Sequence, residues 1–403
     1  DSFALLSTAR PHMRAFHYSW LTCSICFFCW FSVSPLLPSL EKPFCANPDS
    51  ELCTTTCAIT GNMTYADKAY DSECRVCYPY ADNGGCGGLD ISTDQIFMSN
   101  AVGVSGTLII RLFGGPIIDK IGAKKFQVYI MAFSVPWLFW LSRVSTFNEL
   151  VAVRFFVSAL GASFVGSSAW CSAMFDKKVV GLVGATATGW GKVGGGIAYL
   201  LIPEIYVALK LVVSNEEAWR YTLIIPPCLI MIFAVLTWFF SDASPDDQKY
   251  LEGKDEVVAQ HIQEHKPHKM GLKDSFVLAG LNYRTWVMGL LFFASNGVDI
   301  TMGSVAGYYF VKEFKMNQAD ASIAGSVFGL MNLFARSLGG LVSDKLYIRM
   351  GLFGRVVATF FTTLFMGVGL IVFATIDEDN GGVMMAVIIL MISSVFTQAA
   401  QGA

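Results

Sequence analysis

Two arginines occupy the same short pattern in two apolar parts of the chain. Residues 111–120 read RLFGGPIIDK and residues 336–345 read RSLGGLVSDK, so both follow R-x-x-G-G-x-x-x-D-K. The Asp-Lys pair marks the edge of a predicted membrane helix, and each arginine precedes its aspartate by eight residues. At about 1.5 Å per residue, both guanidinium groups are expected roughly 12 Å inside a hydrocarbon core about 30 Å thick.

An arginine at that depth needs a partner. Its cost is about 2.5–3.5 kcal/mol even on the most lenient scale, and the neighbouring turns contain no matching acid. Thr107 and Asn332 each lie four residues before an arginine, so each helix face is predicted to offer a second hydrogen-bonding group. A planar fork of donors suits a planar oxyanion. The alternative is snorkelling or pairing with Asp119 and Asp344, which are too distant along the helix axis.

The elements that must hold these arginines are membrane helices. Of 403 residues, 54% are hydrophobic and 15% charged, against about 25% charged in soluble domains. Ten apolar segments recur along the chain and predict an all-α polytopic membrane protein. The segments are 15–38, 94–115, 126–142, 148–173, 179–207, 221–241, 285–311, 321–343, 353–376 and 383–403. The net charge of −3, with no basic cluster among aromatic residues, gives no indication of nucleic-acid binding.

The repeated pattern divides the chain into two related halves. We predict a six-helix half at 1–241, a cytoplasmic linker at 242–284, and a second half at 285–403 that lacks its last helices. Basic residues concentrate in alternate loops, which predicts that those loops and the N-terminus are cytoplasmic. These residues are Lys120, Lys124, Lys125, Lys177, Lys178, Lys345, Arg349 and Arg355.

The polar loop 41–93 is then predicted to lie outside the cell. Its six cysteines predict three disulfides in an oxidising compartment, with pairing left open, and its Asn-Met-Thr sequon predicts a glycan on Asn62. The cysteines are Cys45, Cys53, Cys57, Cys74, Cys77 and Cys86. A zinc site at the Cys74-x-x-Cys77 spacing is the alternative. His261, His265 and His268 are interpreted as part of the solvated linker rather than a metal cluster. No metal or cofactor is predicted.

A glycine-rich segment adds a third cation. Residues 185–203 read ATATGWGKVGGGIAYLLIP, and small residues of this kind let another helix approach closely, so packing alone would explain the glycines. Lys192 lies among them, about a dozen residues from the predicted cytoplasmic edge. An intramembrane lysine is by default a functional candidate.

The stretch GWGKVGGG resembles the nitrate signature of the nitrate/nitrite porter family of the major facilitator superfamily. Five further stretches resemble the eukaryotic high-affinity branch of that family: RPHMRAFHYSW, SGTLIIRLFGGPIIDKIG, RFFVSALGASF, YRTWV and FGLMNLFARSLGG. The resemblance covers nearly the whole chain except the cysteine-rich loop. It implies a major facilitator fold of two pseudo-symmetric six-helix halves, with alternating access to a midplane site.

The resemblance also implies roles for individual residues. Arg111 and Arg336 would bind the substrate, and Phe164 would stack on the anion. Lys192 stands where the signature normally has asparagine, and Phe292 stands where a tyrosine is common in the seventh helix. To the substrate-binding group we add five residues from the sequence patterns. They are Thr107, Asn332 and the signature glycines Gly191, Gly194 and Gly195.

Further residues are implied to serve the conformational change. Arg154 matches the arginine that opens the superfamily's fourth-helix motif, and the superfamily's loop motif covers Gly115 and Asp119, with Gly340 and Asp344 as their counterparts. Eukaryotic relatives are proton symporters, so Arg154 and Asp299 are coupling candidates. For Asp299, pairing with Lys192 or exposure near the outer end is the alternative.

The resulting prediction is a secondary active transporter of nitrate, with nitrite as a second candidate, driven by proton symport. Nitrate/nitrite exchange, which needs no titrating group, and nitrate sensing without flux are the alternatives. An enzyme is not indicated, because the helices contain no nucleophile–base pair or metal constellation. The resemblance implies a multi-pass protein of the plasma membrane. Its expected partners are the lipid bilayer and a small single-span accessory protein.

Overall fold

The computed structural model describes residues 5–41, 88–175, 179–243, 272–377 and 381–402. Several predictions lie outside the described residues and stay predictions: the six cysteines of the loop 41–93, the sequon at Asn62, the linker histidines, and the cytoplasmic basic pair that follows residue 176. These are Cys45, Cys53, Cys57, Cys74, Cys77, Cys86, Asn62, His261, His265, His268, Lys177 and Lys178.

The fold is all-α, as predicted. Fifteen α-helices are described in chain order. They are α1 His12–Phe31, α2 Leu37–Leu40, α3 Thr93–Ile121, α4 Ala123–Leu141, α5 Phe147–Val157, α6 Ser163–Met174, α7 Val180–Leu209, α8 Asn215–Thr222, α9 Ile225–Phe240, α10 Leu272–Leu281, α11 Tyr283–Glu313, α12 Gln318–Leu330, α13 Ala335–Met350, α14 Leu352–Phe373 and α15 Gly382–Gly402. Three 3₁₀ turns lie at Ser34–Leu36, Ser158–Ala162 and Met331–Leu333.

All ten predicted apolar segments are helical, and eight stretches are long and apolar enough to cross a membrane. The two exceptions are α4 and α11. Two lysines at the start of α4 lower its mean hydropathy, and α11 carries Asp299 and Lys312. The chain is therefore a multi-pass membrane protein. Part of the predicted linker 242–284 is also helical, as α10.

Three of the predicted helices are interrupted by 3₁₀ turns, which the sequence did not predict. Segment 15–38 contains the turn Ser34–Leu36 between α1 and α2. Segment 148–173 is split into α5 and α6 by the turn Ser158–Ala162, and segment 321–343 into α12 and α13 by the turn Met331–Leu333. Asn332 lies inside the turn Met331–Leu333, so it does not share a continuous helix face with Arg336 as predicted. The last two interruptions lie next to predicted site residues, because Phe164 is the second residue of α6 and Arg336 the second residue of α13.

Helix α7 lies between α1 of the first half and α12 of the second half. A Cβ atom added at Gly191 would lie 2.5 Å from Cys23 Sγ, and one at Gly194 would overlap the backbone of α1. On the other face, a Cβ at Gly329 would lie 2.7 Å from the backbone nitrogen of Gly196. The glycines therefore let three helices meet at backbone distance, and the packing gives no support to substrate contact by Gly191 and Gly194.

One end of the bundle is closed by polar contacts between the halves. Lys312 Nζ lies 2.8 Å from Glu41 Oε1, and the Tyr308 hydroxyl donates to the same oxygen at 3.2 Å. The Ser39 hydroxyl donates to Gln318 Oε1 at 2.6 Å. Because Glu41 and Ser39 belong to the first half and their partners to the second, these bonds tie the halves together at the end that the sequence predicts to be extracellular.

Candidate functional site

Three cations from three helices surround one phenylalanine ring. The centre of the Phe164 ring lies 5.5 Å from Arg111 Cζ, 4.9 Å from Arg336 Cζ and 5.2 Å from Lys192 Nζ. Cations are attracted to the negative face of an aromatic ring at about this separation. The structure therefore brings together four residues that are far apart in the sequence, with both halves of the chain represented. Phe292 lies beside them, its ring centre 6.0 Å from that of Phe164.

Arg111 is held by the 3₁₀ turn Ser158–Ala162. Its Nε and Nη2 groups donate to the carbonyl oxygen of Gly161 at 3.1 and 2.8 Å. The Thr107 hydroxyl, predicted to face the anion, instead donates to the carbonyl oxygen of Ser158 in the same turn. A hydroxyl has one proton to donate, so Thr107 is a helix-packing residue here. The turn orients the guanidinium and leaves Nη1 without one of these carbonyl bonds.

Arg336 retains unused hydrogen-bonding capacity. It is 2% exposed, and its Nη1 has no hydrogen-bond partner within the described residues. Asn332 is 1% exposed and donates from Nδ2 to the Gly329 carbonyl oxygen at 3.1 Å, whereas its Oδ1 has no partner within the same residues. The alternative pairing with Asp344 is not seen, because that carboxylate binds Arg355 Nη2 at 2.8 Å. A buried donor without a partner is costly, so Arg336 is suited to a small anion.

The Lys192 ammonium group donates all of its hydrogen bonds to side chains of the second half. Its Nζ lies 2.9 Å from Asn296 Oδ1, 2.5 Å from Asp299 Oδ2 and 2.7 Å from Gln401 Oε1. The other Asp299 oxygen, Oδ1, accepts a bond from Gln398 Nε2 at 2.6 Å. The pairing alternative for Asp299 is therefore what the structure shows. Counting ionised side chains, the cluster carries two guanidinium charges and one neutralised lysine–aspartate pair.

Comparisons with known proteins show the family of the chain. The family model described as Major Facilitator Superfamily matches residues 19–403. The chain belongs to the Major Facilitator Superfamily. The xylose transporter XylE from E. coli, in a partially occluded inward open conformation, has the same fold, with a TM-score of 0.58 and 13% identity over 96% of this chain and 85% of that one.

Within the superfamily, the similar curated proteins include nitrate transporters of plants and algae, as the sequence resemblance predicted. High-affinity nitrate transporter 2.3 of Oryza sativa subsp. japonica is 30% identical, over 99% of this chain and 67% of that protein. High affinity nitrate transporter 2.7 of Arabidopsis thaliana is 28% identical, over 99% and 72%. Nitrate transporter 2.1 of Chlamydomonas reinhardtii is 29% identical, over 98% and 62%. This superfamily member thus spans roughly two thirds of the length of these relatives.

A small cavity extends from the cluster of this superfamily member toward the Glu41 end. It lies between α1, α7, α11 and α12, and its lining includes Lys192, Asp299, Asn332 and Gly195. About 20 Å³ of it is open to a water-sized molecule, which is room for about one water. Of the three signature glycines predicted to bind substrate, Gly195 is therefore the one that reaches this space.

Asp299 is the predicted coupling residue that lies in the cation cluster, whereas Arg154 and the motif residues lie elsewhere in the superfamily fold. Arg154 is 8% exposed, and its guanidinium donates to Ser99 Oγ at 2.7 Å and Asn100 Oδ1 at 2.5 Å on α3. Asp119 is exposed at the far end of α3. The two motif glycines differ in how closely they are packed. A Cβ added at Gly115 would meet nothing within 4 Å, whereas a Cβ added at Gly340 would contact Gly402 and Ala185.

Sequence reasoning missed three polar residues of the site. Asn296, Gln398 and Gln401 all bind the Lys192–Asp299 pair. The two glutamines lie three positions apart, on one face of α15 in an otherwise apolar helix. Polar side chains in such a helix usually face the bundle interior, and that signal would have identified them.

Proposed function

We propose that this superfamily member carries nitrate, with nitrite as a second substrate, across the membrane as a secondary active transporter. The observation that carries the proposal is that Arg111 of the first half and Arg336 of the second half approach the same Phe164 ring. The similarity to nitrate transporters of plants and algae supports the identity of the anion.

The two arginines are suited to hold one planar anion between the halves. Arg336 offers a buried Nη1 without a partner in the described part of the chain. Gly161 binds Nε and Nη2 of Arg111, whose Cζ lies 5.5 Å from the centre of the same ring. Nitrate has three oxygens in one plane, which matches the planar donor fork of a guanidinium. Charge-assisted bonds of this kind contribute about 1.5–3 kcal/mol each.

Binding between the halves gives a basis for alternating access. An anion held by both arginines would draw α3 of the first half and α13 of the second toward each other. The bonds at the Glu41 end must break before the anion can enter from that side. These contacts are partly exposed to solvent, with 41% exposure for the Lys312 side chain, so each contributes about 0–1 kcal/mol and is readily broken.

Proton symport is the coupling mode we propose, with Asp299 as the acid in contact with the cation cluster. Nitrate/nitrite exchange is the second candidate, because two guanidinium charges would also accept a returning anion. Nitrate sensing without flux is a third outcome of the same test. We propose no enzymatic activity. We also propose that the protein lies in the plasma membrane with its N-terminus in the cytoplasm, and that a small single-span accessory protein is its partner.

Reconstituted full-length protein tests this function. Labelled nitrate uptake into proteoliposomes is measured with and without an inward proton gradient, and with nitrite either outside or preloaded. Symport predicts gradient-driven accumulation that nitrite inhibits. Stimulation by internal nitrite without any effect of the gradient would indicate exchange, and nitrate binding without flux would indicate a sensor.

A substitution tests the proposed clamp in the same assay. Arg111→Lys keeps a positive charge but loses the donor fork, so nitrate uptake is expected to fall at unchanged surface expression. Arg143→Lys makes the same exchange at an exposed arginine and is the matched control. Full uptake by Arg111→Lys would refute the clamp.

A further inference from the structure

The ammonium group of Lys192 is saturated in this structure. A lysine ammonium has three N–H donors and no acceptor, and Lys192 Nζ has three acceptors at 2.9, 2.5 and 2.7 Å: Asn296 Oδ1, Asp299 Oδ2 and Gln401 Oε1. Lys192 belongs to the first half, whereas the three acceptors lie on α11 and α15 of the second half. In this state the lysine has no donor left for an anion.

The same ammonium nevertheless lies within reach of the anion site. Its Nζ is 5.2 Å from the centre of the Phe164 ring, comparable to the two guanidinium carbons. Rotation about the bonds of the flexible lysine side chain would redirect an N–H group toward that ring. The Asp299 carboxylate prevents this rotation, because its Oδ2 binds the ammonium group while Gln398 holds its Oδ1.

We propose that Lys192 is a third anion ligand that becomes available only when Asp299 takes up a proton. The inference rests on the proposed function, since it concerns the same anion site. A proton from water adds to Asp299 Oδ2, which occupies the lone pair that accepts from Lys192. The lysine keeps its three protons and redirects one N–H to an oxygen of the anion. Asn296 and Gln401 are positioning residues, because they hold the ammonium that the carboxylate releases.

Charge balance supports this order of events. With Asp299 ionised and no anion, the two arginines, the lysine and the aspartate sum to +2. A singly charged anion alone would leave +1, and a proton alone would leave +3. Anion and proton together return the buried site to +2. Binding both therefore adds no net charge to a medium of low dielectric constant, where an added charge costs free energy.

Few other ionisable groups face the pair. Arg111 approaches it from α3 and Arg336 from α13, and both stay charged. Cys23 of α1 packs against Gly191, the residue before Lys192, and Tyr199 of α7 lines the adjoining cavity. Helix α15 contributes the two glutamines, which do not ionise. In the described part of the site, Asp299 is therefore the acid through which external pH would act on the lysine.

The test measures nitrate affinity of the purified full-length protein in detergent at pH 5.5 and pH 8, and nitrate flux in proteoliposomes. If binding one anion takes up one proton, affinity changes by up to about tenfold per pH unit. Asp299→Asn carries no charge and cannot hold the lysine ionically. We expect nitrate affinity independent of pH, retained nitrate counterflow, and loss of accumulation driven by a proton gradient. Glu216→Gln, which removes an acid paired with Arg220 on α8, is the matched control.

A second variant keeps the test decisive if Asp299→Asn does not fold. Gln401→Leu removes one of the three acceptors, so the lysine is held less firmly; nitrate affinity at pH 8 should rise by several fold and the pH dependence should shrink. Wild-type pH dependence in Asp299→Asn, or wild-type affinities at both pH values in Gln401→Leu, would overturn the proposal. Failure of the wild-type protein to bind nitrate at all would instead refute the proposed function.

Discussion

Replacing Arg336 by lysine isolates the contribution of the guanidinium shape from that of its charge. Arg336 is 2% exposed, and its Nη1 has no partner in the described residues, so this donor is available to the anion. A lysine keeps the positive charge but loses the second, parallel hydrogen bond. One charge-assisted bond contributes about 1.5–3 kcal/mol. We therefore expect the KM for nitrate to rise by about tenfold to hundredfold.

The assay is labelled nitrate uptake by cells expressing the full-length protein, normalised to surface expression, with the dissociation constant of purified protein as a second measurement. Arg349→Lys is the control, because Arg349 lies on the same helix, α13, and is exposed. A KM within about twofold of wild type in Arg336→Lys would show that only the charge is used, and the bidentate geometry would be rejected.

Three further predictions follow from other contacts. Phe164→Leu removes the ring face on which the three cations converge, and should weaken nitrate binding by about 0.5–2 kcal/mol, measured as a rise in the dissociation constant. Gly194→Ala places a methyl group against the backbone of α1 and should destabilise the protein by about 1–3 kcal/mol, seen as a lower melting temperature in detergent. Glu41→Gln removes the ionic partner of Lys312 and should speed modification of a cysteine introduced at Gly303 by an impermeant maleimide, by up to about fivefold.

Controls for these variants come from the same chain. Gly184→Ala adds the same methyl group to α7 where nothing lies within 4 Å, so its melting temperature should match wild type. If Gly184→Ala and Gly194→Ala have the same melting temperature, the close approach of α7 to α1 at Gly194 does not stabilise the protein. Unchanged nitrate affinity in Phe164→Leu, or unchanged labelling in Glu41→Gln, would likewise contradict the contacts on which each prediction is based.

The sequence predicted the fold class and the superfamily because both can be recognised from short stretches of sequence. Apolar segments of membrane length, the repeated arginine pattern and the glycine-rich signature need no knowledge of distant contacts. The repeated pattern identified Arg111 and Arg336, and the family resemblance implied Phe164; the structure places both arginines beside the Phe164 ring. Their role toward an anion stays a proposal.

Long-range partners account for what could not be predicted. The acceptors of Lys192 lie 104, 107 and 209 positions away in the sequence, and no local pattern relates them. The bond from the Thr107 hydroxyl to the Ser158 carbonyl oxygen could not be predicted, because every residue carries a backbone carbonyl and the sequence does not indicate which one is a partner. The interruption at Asn332 was missed for a similar reason, since a 3₁₀ turn between apolar residues carries no proline or charge to signal it.

The meeting of Gly196 and Gly329 has a consequence for motion between the halves. At this point the halves meet at backbone distance, with 2.7 Å from an added Gly329 Cβ to the Gly196 nitrogen, and the Leu330 side chain lies beside the contact. The two glycines have no side-chain rotamers of their own to rearrange, so the conformational entropy of their contact is nearly the same at every small angle of tilt. The two halves can therefore tilt about this contact at little cost in free energy. A larger residue at either position would separate the helices and restrict the angle between the halves.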